Sequence, residues 1–103
     1  MMTIDELLTQ LSDLSGKLEL APEDGTKFDL QILILQLRKQ LVAQAFDPLA
    51  TLANSKVEVE QLELLMPQVD QAIQTEQNRV ALVARVISLA KIALRAAGVN
   101  VPG

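Results

Sequence analysis

A chain of 103 residues has the length of one ordinary domain, and half of its residues are hydrophobic, so a disordered chain is not expected. Cysteine and histidine are both absent, which excludes disulfides, thiol chemistry and the side chain that most often carries protons or binds metals near neutral pH. The net charge of −4 disfavours general binding to nucleic acid.

The first helix is predicted over residues 4–15. Thr3 and Glu6 have the spacing of a capping box, in which the Thr3 hydroxyl accepts a hydrogen bond from the Glu6 N–H and the Glu6 carboxylate accepts one from the Thr3 N–H. Gly16 is the predicted end of this helix, because glycine often follows a helical C-terminus. The apolar residues at helical spacing are Ile4, Leu7, Leu8, Leu11 and Leu14.

Residues 17–27 are predicted to form a loop. Residues 17–20 alternate between polar and apolar as a strand does, and Pro22 and Gly25 favour a turn, so a short hairpin within residues 17–30 is the alternative. We favour the loop because an isolated hairpin is marginally stable and the following segment has helical spacing.

The second helix is predicted from an N-cap at Thr26 to about Phe46, and its apolar residues fall into two stripes on opposite sides. Both sides must be covered, which predicts that one stripe faces the core and the other a partner; the alternative is a central helix covered within the monomer. The first stripe comprises Leu30, Leu33, Ile34, Leu37, Leu41 and Ala45, and the second comprises Phe28, Ile32, Leu35, Val42 and Phe46.

Two further helix starts are predicted after the second helix. Asp47 followed by Pro48 has the pattern of an N-cap with proline at the first helical position, which predicts a short helical turn through Ala53. Ser55 begins a second capping-box pattern that opens the third helix, although residues 57–60 also alternate as a strand would. The residues predicted to point inward are Val59, Leu62 and Met66.

Pro67 is predicted to kink the third helix or to separate two helices, because proline lacks the N–H group and clashes with the preceding turn. The last helix is predicted from about Gln68 to Ala97, followed by Gly98 at the C′ position. It carries two adjacent apolar rows, typical of a core helix with a solvated edge or of a dimer seam, and Glu76 interrupts the first row. The first row is Val69, Ile73, Val80, Val83, Ile87, Ala90, Leu94 and Ala97, and the second is Leu82, Val86, Leu89, Ala93 and Ala96.

Charge is divided along the chain. Residues 1–78 contain all 13 acidic residues and five basic ones, a net charge of −8, whereas residues 79–103 contain four basic residues and no acid. The basic edge of the last helix, formed by Arg85, Lys91 and Arg95, is predicted to face acidic residues of the same chain or an acidic protein partner. These three charges also interrupt the most apolar segment, so membrane insertion is not expected.

No pattern in the sequence predicts catalysis. Glu58, Glu60 and Glu63 are the clustered carboxylates, and a solvated helix face explains them better than acid–base chemistry. Ser88 has no general base nearby, and four scattered glycines do not form a phosphate-binding loop. We therefore predict a protein that is not an enzyme and that holds no cofactor or metal.

Together these patterns predict an all-α fold, a compact bundle of four to five helices in a single domain over residues 1–103. The predicted function is a self-associating adaptor or regulatory subunit, a homodimer that acts by protein–protein interaction. A cytoplasmic location is expected, because the absent cysteines fit a reducing compartment and residues 1–6 are acidic where a signal peptide is basic. The alternatives are a carrier of an apolar small molecule between bundle helices and, more weakly, a membrane-surface protein. The predicted interface residues are Phe28, Ile32, Leu35, Val42, Phe46, Leu82, Val86, Leu89 and Ala93.

Overall fold

The computed structural model of this chain describes residues 1–22, 24–73 and 76–101, with residues 76 and 77 described for their backbone alone. Its four helices are α1 (Ile4–Leu18), α2 (Gly25–Val42), α3 (Lys56–Ala72) and α4 (Glu76–Ala96), and a 3-10 turn spans Ala53–Ser55. Within the described ranges there is no strand, only an isolated bridge between Thr3 and Thr51. The predicted all-α bundle with a long last helix is confirmed, and the hairpin alternative is not seen in the described part of residues 17–30.

Helix α1 begins as predicted and ends later than predicted. The Glu6 N–H donates to the Thr3 hydroxyl at 3.1 Å and the Thr3 N–H donates to Glu6 Oε1 at 3.2 Å, so the capping box is confirmed. The predicted end at Gly16 is wrong, because the helix continues to Leu18. Leu14 and Leu18 lie one turn apart and are both buried, so packing against the core extends the helix past the exposed glycine.

Helix α2 is capped by Asp24 and not by Thr26. The Asp24 carboxylate accepts from the Lys27 N–H at 2.9 Å and from the Thr26 hydroxyl, so the helix begins at Gly25. Carboxylates at this position also benefit from the partial positive charge of the helix N-terminus. The preceding turn is closed by the Ala21 N–H, which donates to the Leu18 carbonyl at 3.0 Å.

The same helix ends at Val42, four residues before the predicted end. Gln44 has a left-handed backbone with φ of 55°, and it occupies the C′ position of a Schellman motif. In this motif the Ala45 N–H donates to the Gln40 carbonyl at 2.8 Å and the Gln44 N–H donates to the Leu41 carbonyl at 3.1 Å. Glutamine is rare at a position that usually holds glycine, so the sequence pattern did not indicate this end.

The segment from Asp47 to Ala50 forms a turn and not the predicted helical turn through Ala53. Its backbone satisfies the free N–H groups at the start of α1, since the Ile4 N–H donates to the Ala50 carbonyl at 3.0 Å and the Asp5 N–H donates to the Pro48 carbonyl at 2.8 Å. The Asp47 side chain accepts from the Leu49 N–H at 2.9 Å, which holds the turn. Asp47 therefore stabilises a turn that contacts the start of α1, and it does not start a helix.

Ser55 directly precedes α3, but its side chain makes no capping hydrogen bond, so the second predicted capping box is wrong. The Ser55 N–H donates to the Leu52 carbonyl at 3.1 Å within the 3-10 turn. This bond holds the Ser55 backbone at a ψ of 42°, whereas a capping residue normally has extended backbone. Leu52 is fully buried, so packing of the turn decides the conformation here.

Helix α3 continues through Pro67 to Ala72, and the boundary between helices lies between Ala72 and Glu76. A single helix over residues 68–97 is therefore wrong. Such a helix would be about 45 Å long, whereas the Cα atoms of the molecule extend over 36 Å in their longest direction. By folding back, α3 and α4 bury their apolar rows against each other.

Helix α4 is the centre of the bundle, since it packs against α3, α2 and the 3-10 turn. Both of its predicted apolar rows lie largely in the core, including Val83, Val86, Ile87, Ala90, Ala93 and Leu94. Glu76, the predicted interruption of the first row, lies outside the described side chains. In the described part of the chain, no helix is both long and apolar enough to cross a membrane.

Gly98 ends α4 as predicted. Its φ is 88°, the Val99 N–H donates to the Leu94 carbonyl at 2.9 Å, and the Gly98 N–H donates to the Arg95 carbonyl at 3.0 Å. These two bonds form a second Schellman motif. The chain then returns onto α2, where the Gln40 side chain bonds the backbone N–H and carbonyl of Asn100.

Candidate functional site

One apolar stripe of α2 is largely buried and the other is exposed. The first stripe faces the core, where Leu30, Leu33, Ile34 and Leu37 are buried. The second stripe faces away from the bundle. We call its four helical members the outer stripe. The exposed fraction of each residue is 59% for Phe28, 38% for Ile32, 54% for Leu35 and 85% for Val42.

Phe46, the fifth predicted member of this stripe, does not belong to the exposed surface. It follows the end of α2 at Val42, and it is half-buried and packed against the core. Because the helix ends before it, the helical spacing that placed Phe46 in line with the other four residues no longer applies. The structure therefore corrects the prediction at this residue.

The predicted interface on α4 is not an exposed surface either. Val86, Leu89 and Ala93 are buried in the core of the single chain, and Leu82 is half-buried and packed against that core. A partner could reach the three buried residues only if the bundle opened. The width of the apolar surface on α4, which suggested a partner, is explained by its central position among the chain's own helices.

The outer stripe has the spacing of a helix that packs against another helix. Phe28, Ile32, Leu35 and Val42 are joined by Lys39 in one row with intervals of four, three, four and three residues. The row is about 21 Å long at the rise of an α-helix. Lys39 is exposed, and its long aliphatic stem can cover apolar neighbours while its charge stays in water.

The flanks of the outer stripe are polar. Asp29 is exposed on one flank, and Gln31 and Arg38 are exposed on the other. The Arg38 guanidinium donates to the Ser12 hydroxyl of α1 at 3.3 Å. Arg38 thereby borders a groove of about 250 Å³ between α1 and α2, which Leu35 and Gly16 also line.

The exposed apolar area is large enough to matter for association. If a fully exposed side chain of this size offers about 150–200 Å², the four residues of the outer stripe together leave roughly 400 Å² exposed. Apolar patches of this size on soluble proteins are often functional. Other exposed apolar residues, such as Leu64 on α3 and Ile92 on α4, lie on different helices.

A buried ionic cluster joins the ends of three helices. Arg79 of α4 is buried; its guanidinium donates to the Ile73 carbonyl after α3 at 3.0 Å and lies 3.4 Å from Asp24 Oδ2 before α2. Burial raises the pKa of Asp24, but hydrogen bonds from Thr26, the Lys27 backbone and Arg79 outweigh it, so the pKa of this carboxyl lies below its ordinary value. The cluster clamps the helix ends together.

Sequence reasoning missed this cluster, because Asp24 and Arg79 are 55 positions apart and only the fold brings them together. The nearest indication in the sequence is Gly25 directly after Asp24, which favours a turn. Lys27 is also buried, and its ammonium group donates to the carbonyls of Glu19 and Ala21, both at 3.3 Å. Two buried cations, Arg79 and Lys27, and the half-buried Asp24 therefore hold the loops and helix ends at this place in the bundle.

The basic edge of α4 is placed on the surface only in part. Arg85 and Arg95 are exposed and Lys91 is half-buried, and none of them forms an ion pair within the described ranges. Arg95 instead donates to the Val101 carbonyl at 3.0 Å. An acidic protein partner for this edge stays a prediction.

The carboxylates weighed for chemistry lie on the outside of α3, where Glu60 and Glu63 are exposed and Glu58 is half-buried. Among the side chains that the structure describes, no three histidine, cysteine, aspartate or glutamate residues are grouped closely enough to hold a metal ion. Glu63 also lines a surface groove of about 300 Å³ between α1 and α3, beside the exposed ion pair of Lys17 and Asp70 at 2.8 Å.

Comparison with protein-family models, with curated proteins and with solved structures finds no match to this chain.

Proposed function

We propose that this protein is a non-catalytic helical interaction module that self-associates through the outer stripe of α2. The observation that carries the proposal is a single helix with one apolar stripe buried in the core and a second, opposite stripe exposed. Phe28, Leu35 and Val42 are each more than half exposed, although residues of these types are usually buried. Contact with another protein removes this surface from water without opening the fold.

The apolar area of two outer stripes is large enough to support pairing with a second copy of the chain. Pairing two outer stripes brings together roughly 800 Å² of apolar surface, and at about 25 cal/mol per Å² its burial would contribute roughly 20 kcal/mol before the costs of association. Those costs are about 4–15 kcal/mol. The polar flanks with Asp29, Gln31 and Arg38 would supply the rim of an interface of ordinary composition. The difference is roughly 5–16 kcal/mol. This range includes the value of about 8.2 kcal/mol that corresponds to a dissociation constant of about 1 μM.

The proposal is tested by placing a charge in the outer stripe. Leu35→Glu and Val42→Glu, made separately, should convert a dimer into a folded monomer, because a carboxylate would have to be desolvated in the interface. The mass is measured by light scattering at tens of micromolar protein, on the order of the concentrations at which micromolar affinities are visible. Far-UV circular dichroism on the same samples reports the helix content.

Leu64→Glu on α3 is the matched control, since Leu64 is a leucine exposed by 68% in the middle of another helix. This variant should remain a dimer. A monomeric wild-type protein, or a dimer that survives both substitutions in the outer stripe, would refute the proposal. If both variants unfold, the stripe contributes to the fold and not to a partner, which also contradicts it.

The role of adaptor or regulatory subunit requires a second partner beside the second copy. Arg85 and Arg95, exposed and without an ion pair in the described ranges, are the residues that support an acidic one. The carrier and membrane-surface alternatives are left as predictions, because the described grooves are open to the surface and no observation favours either hypothesis.

A further inference from the structure

We infer that the two copies pair with their α2 helices antiparallel, with Leu35 of each copy on the twofold axis and Asp29 of each copy beside Lys39 of the other. The inference rests on the proposed self-association and adds the geometry of the pair. It follows from the spacing and the charges of the outer stripe.

The spacing of the outer stripe is symmetric about Leu35. Phe28 lies seven positions before Leu35, and Val42 lies seven positions after it. An antiparallel pair centred on Leu35 therefore sets Phe28 of each copy against Val42 of the other, a large side chain against a small one. A parallel pair would instead set the two Phe28 side chains against each other and the two Val42 side chains against each other.

The position of Lys39 distinguishes the two arrangements. Lys39 lies four positions after Leu35 within the row, and Ile32 lies three positions before it. In a parallel pair the two lysines would meet inside the contact, and like charges brought together there oppose association. In the antiparallel pair the stem of Lys39 lies against Ile32 of the second copy, and its ammonium group is directed to the flank.

Asp29 lies on the flank that the Lys39 ammonium group can reach. About a twofold axis perpendicular to the helices, the same flanks of the two copies meet, and Asp29 of one copy falls two residue positions from Lys39 of the other. This offset is about 3 Å along the helix. Within the described ranges neither residue forms an ion pair in the single chain, so both are available for this contact. Arg38 lies on the opposite flank, where it binds Ser12.

The antiparallel arrangement is tested with single cysteines, which are unambiguous because the chain contains no cysteine of its own. Leu35→Cys should form a disulfide-linked dimer on mild oxidation, since residues on the axis of a close helix pair face each other. In the antiparallel pair, residue 28 of one copy and residue 28 of the other are about 21 Å apart along the helix, and so are the two residues 42. Phe28→Cys and Val42→Cys are therefore treated with a bismaleimide that spans no more than about half of this distance. Neither should crosslink alone, and an equimolar mixture should.

Leu64→Cys on α3 is the matched control for random collisions and should crosslink far more slowly. Equal rates at Leu64 and Leu35 would overturn the inference. Crosslinking of Phe28→Cys alone and of Val42→Cys alone, in a protein that scatters as a dimer, would show a parallel pair; this refutes the antiparallel geometry and leaves self-association standing. A monomeric mass of the wild-type protein in light scattering would refute the proposed self-association itself.

Charge reversal provides an independent measurement. Asp29→Lys should weaken the dimer on the order of tenfold, because two pairs lose an attraction and gain a repulsion. Adding Lys39→Glu to the same chain should recover most of the lost affinity, since each pair again joins opposite charges and glutamate keeps part of the aliphatic stem that packs on Ile32. A double variant as weak as Asp29→Lys contradicts the pairing, and so does a dissociation constant that Asp29→Lys leaves unchanged.

Discussion

Replacing Asp24 by alanine should destabilise the protein by about 2–4 kcal/mol, because one carboxylate serves two structures. It caps α2 by accepting from the Lys27 N–H at 2.9 Å, and loss of an N-cap costs about 1 kcal/mol. It also faces the Arg79 guanidinium at 3.4 Å, in a pair whose side chains are 16% and 3% exposed. The substitution therefore removes a helix cap and leaves a buried cation without its partner.

The second loss is the larger one. Removing one member of a buried ion pair costs about 3–5 kcal/mol in favourable geometry. The separation here is long, and Arg79 keeps its hydrogen bond to the Ile73 carbonyl at 3.0 Å. We therefore expect about 1–3 kcal/mol from this part. The double variant with Arg79→Met should lose less than the sum of the two single changes, since the pair is broken only once.

Urea unfolding followed by far-UV circular dichroism measures these losses at one fixed protein concentration, because the proposed self-association would make stability depend on concentration. Asp13→Ala, which removes an exposed carboxylate from α1, is the control and should change stability by less than about 0.5 kcal/mol. A loss below about 1 kcal/mol for Asp24→Ala would refute the argument.

The pH dependence of the same difference is a second check. The folded-state pKa of Asp24 lies below its unfolded value, so its contribution is present above about pH 4 and is lost as the pH falls through the folded-state pKa. The gap between wild type and Asp24→Ala should therefore be constant from pH 7 to about 5 and narrow below about 4. A gap that stays the same at low pH contradicts the role of the ionised carboxylate.

Two further changes test the helix ends and the core. Gly98→Ala should destabilise the protein by about 1–2 kcal/mol, because the φ of 88° strains any L-residue, although the added Cβ meets no atom within 4 Å beyond its chain neighbours. Gln44→Gly, at a φ of 55°, should stabilise the protein by about 0.5–1 kcal/mol. Changes of the opposite sign in urea unfolding would contradict this reasoning. Leu37→Ala should destabilise the protein by about 2–5 kcal/mol in the same assay, because truncating this fully buried side chain leaves a cavity. Leu20→Ala, at a residue exposed by 98%, is the control. Similar losses for the two leucines would show that burial does not govern the effect.

Several helix ends could be predicted because the atoms that form them are near neighbours in the chain. The capping box of Thr3 and Glu6 spans three residues, and Gly98 provides the left-handed residue that ends α4. The same logic failed at Ser55, where a 3-10 turn held by the buried Leu52 sets the backbone. It also failed at Gln44, where the fold imposes a left-handed conformation on a residue that does not favour it.

The sequence predicted which residues are exposed on α2, but not that the row on α4 is buried. The wheel of α2 showed two opposite apolar stripes, and the structure exposes Phe28, Ile32, Leu35 and Val42 as the prediction required. The row on α4 showed equally apolar residues, yet Val86 and Ala93 are buried within the chain. A helical wheel reveals which faces must be covered, but it carries no information on which element covers them.

The all-α class of the fold could be predicted from the amino-acid sequence, because helical spacing, capping residues and a terminal glycine act over a few residues along the chain. The central position of α4, the packing of α3 against α4 and the contact of Arg79 with Asp24 could be known only from the three-dimensional structure. Burial and ion pairing depend on contacts between segments that are far apart in the chain, so local patterns do not predict them. One helix face looks the same in the sequence whether the chain's own helices or a second copy will cover it.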